Sequence, residues 1–427
     1  MLAGVLVAAL LLSLSIGCDP PPAEPAHLSG NPAPDTAADS GEPPDTAADT
    51  ATGDSGVPSG PEWTILVYMN GDNDLEPWAL SDINEMEQVG STAQVNLVVQ
   101  LDRSPDFAVD DGDWVGARRY LVQADSDKKS IGSPVLAELG DVDSGSSDTI
   151  AEFARWGLES FPAERVALVL WDHGTGWSFR GREPSKGISD DYTSRSELSV
   201  AGGDLVALLA AVTEGRSKLD LMGFDACTMQ MWEVAWSVEP YAQVMVGSQD
   251  YEDLQGWAYD RWLADLVADP SMGAAELGSA IALRFHEIPD STQSVLDLAA
   301  LPALTSALDQ VADSAIASGL AAELLWTAAS GAQGFDGPYS YDHDVHDLLE
   351  RLDAASEDAA VDAAIALALG HANSVVVASY NQGGRVKAAQ GLSIFSPAEG
   401  YLPPIYAGAA WAAASRWDEF IAEAGKQ

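Results

Sequence analysis

Two residues of this sequence stand where a side chain can do chemistry. The apolar run Val166 to Trp171 leads into Asp172-His173-Gly174-Thr175-Gly176-Trp177, and the run Leu219 to Phe224 leads into Asp225-Ala226-Cys227-Thr228-Met229. Both runs read as strands that end in short turns. In open parallel sheets, ligands bind beyond the carboxyl ends of the strands. If these two strands are neighbours, His173 and Cys227 face each other across one crevice. A thiol is a weak nucleophile at neutral pH until a positioned imidazole takes its proton. The glycines beside His173 let backbone approach a substrate closely, and the N–H groups of Gly174 and Cys227 are candidates to hold an oxyanion. Taken singly, Cys227 reads equally as a small buried hydrophobe and His173 as a turn residue. Their matching topological positions favour a Cys–His dyad.

The elements that would position this pair alternate along the chain. Strand-length apolar runs occur at Thr64 to Met69, Val95 to Leu101, Arg118 to Val122, Val166 to Trp171, Leu219 to Phe224 and Gln243 to Gly247. Amphipathic helices are expected over Glu76 to Val89, Ser147 to Ser160 and Gly203 to Thr213. Such alternation predicts an α/β fold, a mainly parallel sheet with helices on both faces. The Ala- and Leu-rich section from 271 to 370 reads as helices. Strand signal returns at Ser374 to Tyr380 and Gly391 to Phe395, and Ala407 to Ala424 reads as a closing amphipathic helix. The expected organisation is therefore a core over 63–270 and a helix-rich C-terminal α/β portion over 271–427 packed on it.

Upstream of the core the composition changes. Leu2 to Ile16 is apolar and, at 15 residues, short for a membrane span, which needs roughly 20. It suits the apolar part of a signal peptide. Its end, Leu14-Ser15-Ile16-Gly17-Cys18, resembles a bacterial lipoprotein cleavage box, although Ser15 is unusual there and no Lys or Arg precedes Arg103. Residues 1–18 are thus expected to be a signal peptide with Cys18 as lipidation site, plain secretion being the alternative. Residues 19–62 carry no Lys or Arg and repeat Asp-Thr-Ala-Ala-Asp at 35 and 45. Such a segment cannot repay its ordering entropy by burial and reads as a disordered acidic tether. Together these predict an exported cell-envelope protein on a lipid anchor. Acidic residues number 66 against 20 basic, a formal charge of −46, which argues against nucleic acid as a partner. With Cys18 and Cys227 the sole cysteines, a disulfide framework is excluded.

Several ordered blocks over residues 62–427 resemble the clostripain family of cysteine peptidases, within the caspase-like clan. They include Leu66-Val67-Tyr68-Met69-Asn70-Gly71-Asp72-Asn73-Asp74-Leu75, Asp82-Ile83-Asn84-Glu85-Met86, and the blocks around His173 and Cys227. Gly247-Ser248-Gln249, Gly256-Trp257-Ala258-Tyr259, Tyr341-Asp342-His343-Asp344 and Gly391-Leu392-Ser393-Ile394-Phe395 follow in order. Cys227 lies 54 positions after His173, near the roughly 50 of caspases. Thr228, where Leu is usual, and Gln249, where an acid is common, depart from the pattern. The resemblance implies a caspase-like fold and a thiol endopeptidase. It implies that Cys227 attacks the scissile carbonyl, that His173 protonates the leaving amine, and that the enzyme cuts after Arg, sometimes Lys. The matching specificity residue is Asp225, whose carboxylate can pair with a guanidinium in a bidentate manner or cap the following turn. Asp250, Glu252 and Asp253 are further substrate-binding candidates. No cofactor is required by the chemistry, and calcium stays open because some members depend on it.

Other features invite a site reading less strongly. His343 and His346 beside Asp342, Asp344 and Asp347 have zinc-compatible spacing but read better as a helix start, so no metal ligand is assigned. Asp141, Asp143, Gly145 and Asp148 lack the full pattern of a calcium loop. Ser178 to Leu198 reads as an exposed loop in which Arg180, Arg182, Lys186 and Arg195 are self-cleavage candidates. Two other functions fit the same residues: a catalytically silent surface-binding lipoprotein, and a thiol-dependent acyl transferase or ligase.

Overall fold

The protein is described from a computed structural model covering residues 60–177, 179–180, 183–184, 187–285, 288, 291–335 and 341–426, with only the backbone of 179, 180, 183 and 184. The leader, Cys18, most of the tether, Arg182 and Lys186 lie outside the described residues, as does the side chain of Arg180.

Nine strands make one sheet: β1 (Trp63–Gly71), β2 (Val95–Arg103), β3 (Gly116–Leu121), β4 (Val135–Gly140), β5 (Arg165–Trp171), β6 (Leu219–Asp225), β7 (Ala242–Gly247), β8 (Ser291–Asp297) and β9 (Val376–Gln382). Their order is β9-β8-β7-β6-β5-β1-β2-β3-β4. The five central strands, β7 to β2, pair in parallel. Antiparallel pairs complete the sheet on both sides. The parallel centre follows from the sequence: its strands are apolar on successive residues, which suits burial on both faces.

Alternate residues feed two cores. Ile65, Val67, Met69, Val169 and Trp171 face helices α1 (Glu76–Glu87), α5 (Tyr259–Ala268) and α6 (Ala274–Phe285). Leu66, Tyr68, Leu168, Leu170 and Phe224 face the other layer. That layer holds α2 (Ser147–Ser160), α3 (Asp204–Thr213), α4 (Trp232–Val238) and α7 (Leu301–Ser318). Beyond them lie α8 (Ala321–Ala329), α9 (Val345–Ala355), α10 (Ala359–Val375) and α11 (Trp417–Ala424). The α/β architecture with both faces covered and a helical C-terminal portion is therefore present. Among the described residues no helix is long and apolar enough to cross a membrane.

Four local expectations need correction. Ser291–Asp297 is a strand, not part of a helical section; its Thr292, Gln293 and Ser294 are buried and hydrogen-bonded, so it lacks the apolar signature of a core strand. Helix α10 runs on to Val375, and the strand after it is displaced to Val376–Gln382. The last helix begins at Trp417, because Ser415 and Arg416 are tied to Asp309 just before it. Residues 187–199 form a hairpin, Gly187–Asp191 with Ser196–Ser199, rather than an open loop, because Ile188 and Leu198 pack into the core.

Candidate active site

The strands β5 and β6 are direct neighbours in parallel register, from Ala167 opposite Leu221 to Trp171 opposite Asp225. His173 and Cys227 each lie two residues beyond that last pair. The turns that carry them touch. A Cβ added to Gly174 would stand 2.3 Å from the Cys227 carbonyl oxygen and 3.0 Å from its nitrogen. Only glycine allows this approach. Gly174 also bridges to Ile188, which fastens the His173 turn to the hairpin.

His173 and Cys227 line one cleft together with Asp225, Glu252, Asp253 and Leu254. Cys227 is half-buried, and its Sγ accepts a hydrogen bond from Glu252 N–H at 3.3 Å. Such a donor favours the thiolate over the thiol. His173 Nε2 lies 2.8 Å from Asp74 Oδ1, which also accepts from the Tyr192 hydroxyl at 3.0 Å. Partial burial pushes the Asp74 carboxyl up, but the bonds from His173 and Tyr192 outweigh it and hold it below its usual range. An ionised Asp74 fixes the Nε2–H tautomer and leaves Nδ1 as the basic nitrogen. Behind the turn, buried Asp172 accepts from Asn70, Asn73 and Asp190 N–H, which locks the backbone leading into His173.

The cleft floor is acidic. Asp225 Oδ2 accepts from the Tyr259 hydroxyl at 2.8 Å and from Trp257 N–H at 3.3 Å. Burial pushes its carboxyl up to about 6 despite these bonds. Glu252 is half-buried as a residue, but its Oε2 is enclosed. Burial, and then the charge of Asp225, drive it well above the carboxylate range, and the two are near enough to share a proton. A third carboxyl, Asp82 of α1, accepts from Trp171 Nε1 at 2.7 Å and is raised by burial and by Asp225. Gly256, with φ of +59°, lies where these groups converge. A Cβ there would be 3.1 Å from Asp82 Oδ2 and 3.2 Å from Asp225 Oδ1. Asp225 and Glu252 thus present acidic groups to the cleft, with Asp82 acting on Asp225 from outside its lining.

The family model of the clostripain family matches residues 67–423. The chain belongs to the clostripain family of cysteine peptidases. Clostripain of Hathewaya histolytica is 25% identical over 218 residues, 46% of this chain; the match spans 41% of that enzyme's length. The fold agrees with two solved structures. One is a secreted C11 cysteine protease of Bacteroides thetaiotaomicron bound to an irreversible peptide inhibitor: TM-score 0.60, 20% identity, 82% of this chain and 99% of that one. The other is an inactive zymogen C11 protease of Parabacteroides distasonis: TM-score 0.61, 21% identity, 86% and 99% covered.

The other candidate residues of this clostripain-family chain are spread between the cleft and other parts of the fold. Asp253 is exposed at the cleft rim. Asp250 is buried and turned to Arg385, at 2.5 Å, and does not line the cleft. Thr228 adopts φ of +58°, an uncommon conformation for a β-branched residue, directly after Cys227. His343 binds Ser396 and His346 binds Asn373, and among the described residues the pair is not gathered with carboxylates into a metal-binding group. Asp141, Asp143 and Asp148 are exposed and, among the described residues, likewise not gathered. Sequence reading missed Asp74 and Asp82. Both lie within the family blocks, Asp74 99 positions before its partner His173 and Asp82 89 before Trp171, and only the sheet order brings them together.

Proposed function

We propose that this protein is an endopeptidase that cuts after basic residues, Arg before Lys, using Cys227 as nucleophile and His173 as proton carrier. The observation that carries this reading is the convergence of a thiol, an imidazole and the buried Asp225 carboxyl at the ends of two neighbouring parallel strands, with Glu252 in the same cleft. His173 takes the thiol proton. Cys227 Sγ attacks the scissile carbonyl, and the N–H groups of Gly174 and Cys227 receive the oxyanion. The amine leaves with the proton from His173, and water then releases the acyl group from Cys227. Asp74 positions His173. Asp225, supported by Glu252 and Asp82, takes the guanidinium of the residue before the cut, and Asp253 meets the substrate at the rim.

The apolar leader and the secreted bacterial relative support export, and the lipobox-like end supports a lipid anchor at Cys18. Fatty-acid-analogue labelling of wild type and Cys18→Ser tests the anchor; a mature chain without label refutes it. Self-cleavage after Arg180, Arg182, Lys186 or Arg195 is part of the same reading. Arg195 is exposed at the hairpin tip. A single uncut mass in fully active protein refutes this step.

The central test uses an Arg-directed covalent thiol probe together with Arg and neutral peptide substrates. Wild type should label at Cys227 and turn over the Arg peptide. The variant Cys227→Ala should do neither while keeping the wild-type circular dichroism spectrum. Undiminished turnover in that variant removes the proposal.

A further inference from the structure

The carboxyl edge of the sheet continues past the dyad. In strand order, Cys227 follows β6, His173 follows β5, Asp74 follows β1 and Phe107 follows β2. Contacts run along the same line. His173 Nε2 lies 2.8 Å from Asp74 Oδ1, and the Tyr192 hydroxyl donates to that oxygen at 3.0 Å. The Tyr192 ring stands 6.0 Å from the Phe107 ring, edge to face at 74°. The line therefore leads from the dyad to a pair of aromatic rings, whereas Asp225 lies back on β6.

Both aromatic residues are exposed, at 43% each. Apolar surface left in water forgoes the gain of burial, and here a fixed backbone keeps it there. Buried Glu76 accepts the Ala108 N–H at 2.7 Å, and its buried ion partner Arg103 donates to the Ala108 carbonyl at 3.3 Å. Ser104 N–H donates to Gly71 O at 3.3 Å. Tyr192 is held at both ends, by its N–H on Asp72 O at 2.9 Å and by its hydroxyl on Asp74. Burial, and then the bond to Asp74 and its charge, push that hydroxyl up to about 12, so at neutral pH it stays a donor on an uncharged ring.

In acyl transfer to a thiol, the residues before the cut stay on the sulfur, and those after it leave with the protonated amine. With Asp225 of β6 holding the side chain before the cut, a substrate crossing the sheet edge lays its leaving segment over the ends of β1 and β2. An extended chain advances about 3.3 Å per residue, so its first two residues span the two hydrogen bonds from His173 to Tyr192.

We propose that Phe107 and Tyr192 form a subsite for an apolar side chain, aromatic or branched aliphatic, on one of the first two residues after the cut. The subsite rests on the dyad and on Asp225 as read above, and it adds a preference on the leaving side of the bond.

The test uses the full chain and two kinds of substrate. Peptides with Arg before the cut carry Phe, Leu, Ser, Gly or Glu at the first or second place after it. An acyl-Arg methyl ester carries only a methyl group there, and each protein's peptide rates are divided by its ester rate, so that a general loss of activity cancels. At one of the two places, wild type should favour Phe and Leu over Gly roughly tenfold in kcat/KM. Phe107→Ala should flatten that preference and Phe107→Trp should keep it. Phe107→Lys should turn it toward Glu, a gain that a poorly folded variant cannot produce. A flat wild-type profile at both places overturns the subsite while leaving cleavage after Arg standing. A preference that survives Phe107→Ala overturns it equally, because the apolar side chain then binds elsewhere. If wild type cuts neither kind of substrate, the peptidase reading has failed and the subsite falls with it.

Discussion

Two groups of carboxyls in the molecule differ in what surrounds them. Asp225 and Glu252 line the cleft beside Cys227 with Asp82 acting on Asp225, and Tyr259 and the Trp171 indole donate hydrogen bonds to Asp225 and Asp82. Asp72, Asp102 and Asp191 are sealed beneath a hairpin and are bonded by hydroxyls and backbone. The two groups therefore differ in access rather than in acidity: a molecule entering the cleft can reach Asp225 and Glu252, whereas Asp72, Asp102 and Asp191 are buried and do not line it.

The largest effect that distinguishes them is expected from Asp225→Asn. Losing a buried partner for a charged group costs ~2–5 kcal/mol, so kcat/KM for an Arg peptide should fall roughly 30- to 5000-fold. Asp102→Asn, away from the cleft, should leave kcat/KM for the Arg peptide close to that of wild type. If it falls as far as in Asp225→Asn, the two groups form one unit and the distinction is wrong.

Next is the dependence on pH. Protonating Asp225 below about 6 removes the charge that faces the basic side chain, so KM for Arg substrates should rise as pH falls through 6. The stability effect has the opposite sense. A carboxyl raised in the folded state contributes stability that is full below its unfolded value, near 4, and is lost as pH rises through about 6. The thermal midpoint should therefore fall over that interval, and argininamide should restore it. The acid limb of the KM profile should vanish in Asp225→Asn; its persistence there would move the titrating group elsewhere, since Asp82 and Glu252 titrate with Asp225 as a set.

Asp74 stands between the two groups, touched by His173 from the cleft and by Tyr192 from the hairpin. Asp74→Ala should lower kcat about tenfold with KM unchanged, below the ~100-fold or more of a full acid–base group. A change in KM alone would mean that Asp74 binds substrate instead of positioning His173. The smallest effect is expected at Thr228. Asn tolerates a left-handed backbone better, so Thr228→Asn should relieve up to ~1 kcal/mol of strain and raise the midpoint by about 1–2 °C. A lowered midpoint would show that the threonine side chain stabilises more than its backbone costs.

What the sequence revealed follows the same division between local and distant information. The parallel strands were legible because each carries a stretch of successive apolar residues, such as Leu97 to Val99 in β2 and Val166 to Trp171 in β5. As candidates, His173 and Cys227 were legible because each follows its strand by two residues, and Asp225 because it ends one. Ser291–Asp297 was not, because its buried Ser, Thr and Gln side chains are satisfied by partners such as Ser248 and Gly391 that no local pattern announces. Edge strand β4 hides for another reason: it is largely exposed and carries no burial periodicity. Asp82 and the group of Asp72, Asp102 and Asp191 were invisible as clusters. Their members come from separate segments that meet only once β1, β2, β5 and β6 have taken their places.

The paired residues Trp171 and Asp225, one rung before the turns of His173 and Cys227, have a consequence for how this chain can change. Counted from that rung, His173 and Cys227 are each two residues along their chains. An insertion in the connection between the strands, residues 172 to 218, leaves that offset intact so long as it falls beyond the His173 turn. A single-residue deletion inside either strand does not. It slides one side chain by about 3.3 Å along the sheet and swaps the two faces of that strand. The molecule is thus tolerant across its width and intolerant along its strands. Length variation among proteins built this way should concentrate in the connections, and an engineer seeking room for an added segment should look there first.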